Sequence, residues 1–249
     1  NVPVGVELRG IFDTPHHMSG DGSVLLAYGG KDNEAGTPFI TLQQNAGLRG
    51  ISVYYPEQEH LTVHAYPWTV RGNGSGVYVI NSTFANAYNG IDFGLTNNCD
   101  NHYIDNVLGC FLKTGIGVGK SATEGWVQNV HINPHLWARA LYYPNNPSNN
   151  DSEWINNVFT YMKHNLEAIK LGYCNNEHML ANFNFASYYG IHAISQSEGK
   201  ANAVVYLPGI DCSLVGMMVE DTGSNGINVI GMTQYLDSDQ PYRRGVWLN

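Results

Sequence analysis

The amino-acid sequence predicts an all-β fold, a right-handed parallel β-helix (solenoid) with about seven to eight coils. Three observations predict it. A four-residue pattern, in which an aliphatic residue is followed by any residue, then Asn or Gly, then usually an apolar residue, occurs seven times. A second pattern, Gly-Ile or Ala-Ile, recurs in step with the first. Residues 130–133 and 183–185 alternate apolar and polar side chains, which is the period of a half-buried strand.

The first pattern repeats at short intervals. Its copies begin at Leu8, Leu48, Val79, Ile104, Val127, Leu180 and Leu214. The two shortest spacings are 25 and 23 residues, and the wider ones indicate the same period with inserted loops. Self-similarity at this period is typical of solenoids, whose units bury their apolar faces by stacking. Asn or Gly in the pattern tolerates a left-handed backbone at a tight turn, and stacked Asn side chains can hydrogen-bond along the solenoid.

The second pattern opens a strand and predicts which residues face outwards. Its copies are Gly90-Ile91, Gly115-Ile116, Ala168-Ile169, Gly190-Ile191 and Gly226-Ile227. Alternation then places Ile91 and Phe93 inside and Asp92 outside. The equivalent outward residues form a predicted column of Asp92, Gly117, Lys170, His192 and Asn228. On the preceding strand the predicted outward positions are Ser52, Thr83, Leu108, His131, Asn184 and Met218.

Residues 135–167 interrupt the repeat and predict a short helical insertion near residues 152–164. Apolar residues at positions 154, 155, 158, 159 and 162 recur with helical spacing after a capping segment at Ser152. Other extra residues are predicted to be surface loops, among them residues 13–22, which contain His16 and His17, and residues 54–60, which contain Glu57.

Length and composition predict a single β-helix domain over residues 1–249 and exclude several functions. Charged residues make up only 13%, and no linker or charged run divides the chain. The net charge of −9 argues against nucleic acid and mildly against a strongly anionic polymer. No apolar run reaches membrane-spanning length. The chain begins without Met and without a polar cap, so we expect a fragment of a longer protein, whose exposed strand edges would favour self-association.

The predicted column favours a groove for an extended polysaccharide. Asp92 and Glu167 are the candidate carboxyl pair, and Glu57 and Glu220 are substitutes for it. Lys170, His192 and His131 complete the candidate catalytic set. Candidate substrate-binding residues are charged, amide and aromatic side chains nearby, with Tyr142 as a further platform for a sugar ring: Glu57, Trp68, Arg71, Lys113, Asn133, Trp137, Tyr143 and Tyr188. Outward polar residues are usually solvated surface, so only their clustering over neighbouring coils favours a site.

Five stretches within residues 4–134 carry a resemblance to known proteins: residues 4–10 (VGVELRG), 47–58 (GLRGISVYYPEQ), 66–72 (YPWTVRG), 90–94 (GIDFG) and 129–134 (NVHINP). Through them the sequence resembles the pectin-lyase-like superfamily of right-handed β-helices, and more narrowly the proteins related to glycoside hydrolase family 28 or grouped as the pectate lyase superfamily. The resemblance implies a secreted or cell-surface enzyme acting on a polysaccharide, with its groove at the predicted column. The polygalacturonase signatures Asn-Thr-Asp, Gly-His-Gly and Arg-Ile-Lys are missing here, as is the paired-Asp calcium site of pectate lyases.

Three functions remain open at this point. A glycoside hydrolase would use the carboxyl pair and would need no cofactor. A polysaccharide lyase would need a base such as Lys170, His192 or His131 to abstract a proton beside a uronate. Its cation would come from Lys113, Arg71 or Lys170, or from a calcium ion. A non-catalytic β-helix would bind carbohydrate or form filaments. The four cysteines lack metal-ligand spacing, so we expect free thiols and no metal site.

Overall fold

The computed structural model describes residues 1–11, 21–140, 143–144, 146, 151–237 and 243–249. His16, His17 and Tyr142 lie outside the described residues. The fold is mostly β, with 51% strand and 8% helix and a long parallel sheet, so the predicted β-rich class is confirmed. No helix within the described ranges is long and apolar enough to cross a membrane.

The described part of the chain contains twenty strands and two helices. The first ten strands are β1 (Glu7–Arg9), β2 (Ser23–Leu26), β3 (Ile40–Gln43), β4 (Gly47–Arg49), β5 (Ile51–Tyr54), β6 (Trp68–Asn73), β7 (Tyr78–Phe93), β8 (His102–Val118), β9 (Ser121–Gln128) and β10 (His131–Ile132). The helices α1 (His135–Ala138) and α2 (Ser152–Asn165) follow. The remaining strands are β11 (Glu167–Leu171), β12 (Cys174–Leu180), β13 (Phe183–Phe185), β14 (Tyr189–Ala193), β15 (Ala203–Tyr206), β16 (Gly209–Ser213), β17 (Val215–Val219), β18 (Ile227–Ile230), β19 (Thr233–Leu236) and β20 (Arg244–Leu248).

These strands pair in three parallel ladders, which the chain visits in rotation. The first ladder runs through β1, β4, the starts of β7 and β8, then β9, β12, β15 and β18. The second runs through β2, β5, the middles of β7 and β8, then β10, β13, β16 and β19. The third runs through β3, β6, the ends of β7 and β8, then β11, β14, β17 and β20. Each ladder therefore has eight strand segments, or rungs, among the described residues.

The core consists of apolar columns that run along the ladders. On the first ladder the aliphatic residues that open the sequence pattern, Leu48, Val79, Ile104 and Val127, are in register and fully buried. On the third ladder the Gly-Ile pattern supplies Ile91, Ile116, Ile169 and Ile191, which are also in register and buried. Full burial of each such side chain contributes about 1.5–3 kcal/mol. Both sequence patterns are therefore core patterns.

The Asn or Gly of the first pattern lies at a left-handed turn between the first and second ladders. Successive turns have positive φ at Gly50, Asn81, Asn106, Asn129, Ala181, Leu207 and Gly231. The predicted amide ladder is present at one step, where Asn106 Nδ2 donates to Asn81 Oδ1 at 2.9 Å. Asn129 Nδ2 instead donates to Asp105 Oδ1 at 2.8 Å. At the sixth copy the left-handed residue is Ala181, so the prediction that Asn182 occupies the turn is wrong by one residue.

The predicted position of the seventh copy of the first pattern in the ladders is also wrong. Gly216 lies within β17 on the third ladder, where Met217 is in register with Ile191. Ile227 is in register with Ala203 on the first ladder, so Gly226-Ile227 does not open a third-ladder strand. The reason is that glycine occurs in both sequence patterns. Gly216-Met217 occupies the position on the third ladder that Gly190-Ile191 occupies on the preceding rung.

The helical insertion is confirmed and packs on the middle rungs. Helix α2 begins at Ser152, and the Asp151 side chain accepts hydrogen bonds from the backbone N–H groups of Glu153 and Trp154. Both α1 and α2 contact β8, and Met162 lies 3.6 Å from the Cys110 sulfur. The expected outward residues of the second ladder at these rungs are accordingly buried: Ser52, Thr83 and Leu108.

Two further residues expected on that outward face lie elsewhere. Asn184 is buried, and its Nδ2 donates to the hydroxyls of Ser187 and Ser213 at 2.9 and 3.0 Å. Met218 belongs to the third ladder, where it is in register with His192. Asn184 faces inwards because Phe183, and not Asn184, is in register with His131. Met218 lies on the third ladder because the seventh copy of the first pattern belongs to that ladder.

A buried ion pair joins two rungs of the first ladder. His102 and Glu177 both lie in register with Gly125, which separates them along the ladder. A Cβ on Gly125 would come within 2.2 Å of His102 Nε2 and 2.3 Å of Glu177 Oε2, so glycine leaves the gap through which the two side chains meet. The Nε2–Oε2 distance is 3.1 Å, and His102 Nδ1 lies 2.8 Å from the Cys99 carbonyl oxygen.

This pair predicts a pH dependence of stability. Burial acts to lower the pKa of His102, but the charge of Glu177 and the two hydrogen bonds outweigh it, so the pKa is raised above 6.5. A histidine with a raised pKa stabilises the fold below its unfolded pKa, and this contribution is lost as pH rises through the folded value. The melting temperature of the His102→Gln/Glu177→Gln double variant should therefore approach that of the wild type as pH rises from about 6 to 9. Parallel melting curves for the two proteins across this range would contradict it.

Candidate active site

The outer side of the third ladder carries a column of ionisable residues. Asp92, Gly117, Lys170 and His192 are in register on successive rungs, as the sequence predicts. Arg71 precedes Asp92 in the same column. Asn228 is not part of it, since this residue is in register with Val204 on the first ladder. The column therefore runs from Arg71 to His192.

Two glutamates flank one imidazole at the later rungs of this column. Glu167 on β11 places Oε2 2.9 Å from His192 Nδ1, and Glu220, just after β17, places Oε1 3.0 Å from His192 Nε2. Lys170 Nζ lies 2.8 Å from Glu167 Oε2. We call Glu167, Lys170, His192 and Glu220 the Glu167–His192 cluster. It assembles because neighbouring parallel rungs stand about 4.8 Å apart, within reach of these side chains.

The cluster is partly open to solvent. The side chains of Glu167 and Lys170 are each 25% exposed, that of Glu220 is 43% exposed, and that of His192 is 9% exposed. Burial acts to raise the pKa of Glu167, but hydrogen bonds with His192 and Lys170, together with their charges, outweigh it. The pKa of Glu167 therefore lies below its ordinary value of 4.5. Glu167 is a stable carboxylate next to a buried histidine and a more exposed carboxyl group.

Aromatic side chains adjoin the cluster. The Tyr189 ring centroid lies 4.5 Å from that of His192, and Tyr188 meets Tyr189 edge-on at 4.6 Å. Tyr188 is 37% exposed. Sequence reasoning did not include Tyr189. Its signal was available, because Tyr189 directly precedes the Gly190-Ile191 pair.

Asp92 is separated from solvent and cannot pair with Glu167 across a substrate. It is 1% exposed, and Arg71 Nε lies 3.2 Å from Oδ2. Its Oδ1 accepts hydrogen bonds from the backbone N–H groups of Gly94, Leu95 and Thr96 at 3.2, 2.8 and 3.3 Å. The expectation of a catalytic Asp92 is corrected: this carboxylate binds Arg71 and shapes the turn after β7.

The space beside Gly117 is filled by protein side chains. A Cβ on Gly117 would lie 2.4 Å from Leu95 Cδ1 and 3.4 Å from the Trp68 ring. Trp68 is therefore packed against the column rather than standing free as a platform. Glycine at this position accommodates protein side chains.

Trp137 and Tyr143 are wrong as predicted sugar platforms. Trp137 is fully buried in α1, and Tyr143 is 6% exposed and stacked on Tyr54 with ring centroids 4.5 Å apart. Both belong to the helical insertion and its packing on the second ladder. The amphipathic aromatic side chains of an insertion are core residues when the insertion covers a sheet face.

His131 and Asn133 also lie away from the cluster, near the second ladder. His131 lies on β10 with its ring edge-on to Phe183 at 5.0 Å. Asn133 Nδ2 lies 3.4 Å from His131 Nε2, and its Oδ1 accepts the backbone N–H of His135 at 2.9 Å. His131 is therefore not a base for chemistry at the Glu167–His192 cluster.

The remaining predicted binding residues are dispersed. Lys113 forms an ion pair with Glu34 at 2.7 Å. Glu57 is exposed and lines an open cleft of about 540 Å³ with His60 and Trp154. No group of three or more His, Cys, Asp or Glu side chains is arranged as a metal site in the part of the chain that the structure describes. The four cysteine thiols are free.

Comparisons of the chain with protein-family models, with curated proteins and with solved structures gave no match.

Proposed function

We propose that this chain is a right-handed parallel β-helix that binds an extended polysaccharide along its third ladder and hydrolyses glycosidic bonds at the Glu167–His192 cluster. Three parallel ladders visited in rotation support the β-helix, and parallel crossover connections are right-handed in about 98% of cases. The resemblance to pectin-lyase-like sequences in residues 4–134 favours the same fold and a carbohydrate substrate.

The observation that carries the proposal is the pair of carboxyl groups held on opposite sides of His192. Glycoside hydrolysis needs one carboxyl group as acid and another as base or nucleophile. Glu167 and Glu220 contact different nitrogens of one ring, at 2.9 and 3.0 Å. The two nitrogens face away from each other, so we infer that the carboxyl groups stand further apart than the ~5–5.5 Å of retaining enzymes. The arrangement suits the ~6.5–9.5 Å of inverting enzymes.

The contacts assign a role to each residue. Glu167 is the base that activates water, because its lowered pKa keeps it ionised. His192 bridges the two carboxyl groups through Nδ1 and Nε2, and Glu220, the more exposed of the two, is the acid that protonates the leaving oxygen. Lys170 is a positioning residue that keeps Glu167 charged and oriented. The reaction moves one proton from water to Glu167 and one from Glu220 to the leaving group.

The surroundings favour a neutral sugar chain. The cluster has two carboxyl groups for one lysine, which disfavours the carboxylates of a uronate polymer. Tyr188 offers a half-exposed ring beside the cluster on which a sugar face can stack. A polysaccharide substrate also fits the secreted or cell-surface location expected from the sequence.

The test is to incubate the chain with xylan, glucomannan, xyloglucan and polygalacturonate. Reducing ends and the ultraviolet absorbance of unsaturated uronates are followed together. We expect new reducing ends from a neutral polymer without the absorbance. Both signals together, on polygalacturonate, would replace the hydrolase by a lyase with Lys170 or His192 as base. Neither signal on any polymer would replace it by a non-catalytic β-helix.

A further inference from the structure

A second surface, on the outer side of the first ladder, carries aromatic rings on four successive rungs. Tyr78, Tyr103, Trp126 and His178 are in register with one another. We call them the aromatic stripe. Trp126 is 37% exposed and the other three are half-buried. Stacked rungs repeat every ~4.8 Å, so the stripe extends over three such steps. Three of the four rings directly precede the aliphatic residue of the repeat pattern, at Val79, Ile104 and Val127.

Hydrogen bonds and packing fix the rings of the stripe in place. The Tyr103 hydroxyl donates to Asp105 Oδ2 at 3.0 Å and accepts from Gln128 Nε2 at 2.8 Å. His178 stacks on one face of the Trp126 indole, with centroids 4.2 Å apart and planes inclined by 15°. No other ring among the described residues packs on Trp126. A rigid aromatic side chain that is partly open to solvent provides binding area at a small entropic cost.

An open groove of about 530 Å³ runs beside the stripe, along the left-handed turns. Its lining includes the amides Asn81, Asn106 and Asn129, which come from three successive turns, and Asp105, which also bonds the stripe. We call it the amide groove. Each amide carries two N–H donors and an oxygen with two lone pairs, so the contacts between these side chains leave hydrogen-bonding capacity toward the groove. His131 also lines the groove, which gives this predicted residue a place outside the cluster.

The charged residues on this surface favour one class of ligand. Asp105 and the exposed Glu124 lie on either side of the stripe near Trp126, on β8 and β9. Arg49, at the N-terminal end of the surface, is held by Glu7 at 3.0 Å. Carboxylates accept hydrogen bonds from hydroxyl groups and repel anionic polymers. The complementary ligand is neutral and rich in hydroxyl groups.

We propose that the aromatic stripe and the amide groove together form a second carbohydrate-binding surface, which holds a neutral polysaccharide along the first ladder. Rings at successive rungs give the sugar faces apolar contact, and amides at successive turns bond the hydroxyl groups. The surface lies on a different ladder from the Glu167–His192 cluster, so it binds polymer whether or not the cluster hydrolyses it.

The test is affinity electrophoresis in gels that contain xylan, glucomannan, xyloglucan or polygalacturonate. We expect the wild type to be retarded by at least one neutral polymer more than by polygalacturonate. Trp126→Ala should raise the dissociation constant obtained from the retardation about tenfold, and Trp126→Phe should bind almost as tightly as the wild type. Asn106→Gly and Asn129→Gly remove the amides while keeping a residue that accepts the left-handed backbone, and each should also weaken it. Tyr235→Ala, which removes a ring that is 63% exposed on the second ladder, is the matched control and should change nothing.

Three results would overturn the second binding surface. Trp126→Ala and Asn129→Gly could both be retarded like the wild type. The wild type could be retarded by no neutral polymer, or by polygalacturonate in preference. Finally, Glu220→Gln could abolish the retardation, which would place binding at the cluster instead. A failure of hydrolysis alone leaves retardation by the stripe intact, so the two proposals fail separately.

Discussion

Glu167→Gln is expected to lower turnover of a neutral polysaccharide between about a hundredfold and ten-thousandfold, the range for loss of a general acid or base. Gln keeps the shape of the side chain and can still contact His192 and Lys170, but it cannot take a proton from water. Glu220→Gln should cause a loss of the same size, because it removes the acid. Initial rates of reducing-end release at saturating substrate measure both variants.

The control for this prediction is Glu198→Gln. Glu198 also forms a glutamate–lysine pair, with Lys120 at 3.3 Å, but it contacts neither His192 nor Lys170. Its loss should leave turnover unchanged. Turnover of Glu167→Gln within threefold of wild type would remove Glu167 from the mechanism.

The pH profile gives an independent readout of the same residue. A base acts only when ionised, so activity should persist as pH falls until it reaches the pKa of Glu167, which lies below the ordinary value of 4.5. Lys170→Met removes a hydrogen bond and a positive charge that lower this pKa, so the acid limb should move to higher pH. If the acid limb does not move in Lys170→Met, it reflects the titration of a group other than Glu167.

Asp92→Ala is expected to destabilise the fold by about 3 kcal/mol while leaving the chemistry intact. The substitution leaves the Arg71 guanidinium without its buried partner and three backbone N–H groups of residues 94–96 without their acceptor. Asp92→Asn retains an acceptor oxygen and should cost less. Urea-induced unfolding measures both variants.

The activity of Asp92→Asn separates a structural role from a catalytic one. At a temperature where the variant is folded, turnover should match that of the wild type, since the side chain is 1% exposed. A folded Asp92→Asn protein without activity would return Asp92 to the catalytic pair.

The sequence predicted the β-rich class, the helical insertion and the register of Asp92, Gly117, Lys170 and His192, because these follow from spacing. Repeat position determines which residues stack on neighbouring rungs. The later coils could not be assigned in the same way. Gly216 satisfies both patterns, and the left-handed residue of the sixth copy is Ala181 rather than Asn182, which follows it.

The spacing of the patterns could not predict which faces of the sheet are covered by turns or by the helical insertion. Asp92 points outwards by alternation, yet the turn that follows it folds back and buries it. Trp137 and Tyr143 belong to an insertion whose length was evident but whose packing on the second ladder was not. The sequence offers Glu220 only as a substitute for the carboxyl pair. Its contact with His192 depends on the end of β17, a strand that the sequence pattern assigned to the wrong ladder.

The measurement that tests the central claim most directly is the anomeric configuration of the first product, followed by proton NMR during hydrolysis of a neutral oligosaccharide. Glu167 and Glu220 bind opposite nitrogens of His192, and this separation predicts direct attack by water and an inverted anomeric centre. Inversion in the wild type, together with loss of the product signal in Glu220→Gln, is the predicted result. A product that retains its configuration, or carries a double bond, would contradict hydrolysis by this carboxyl pair.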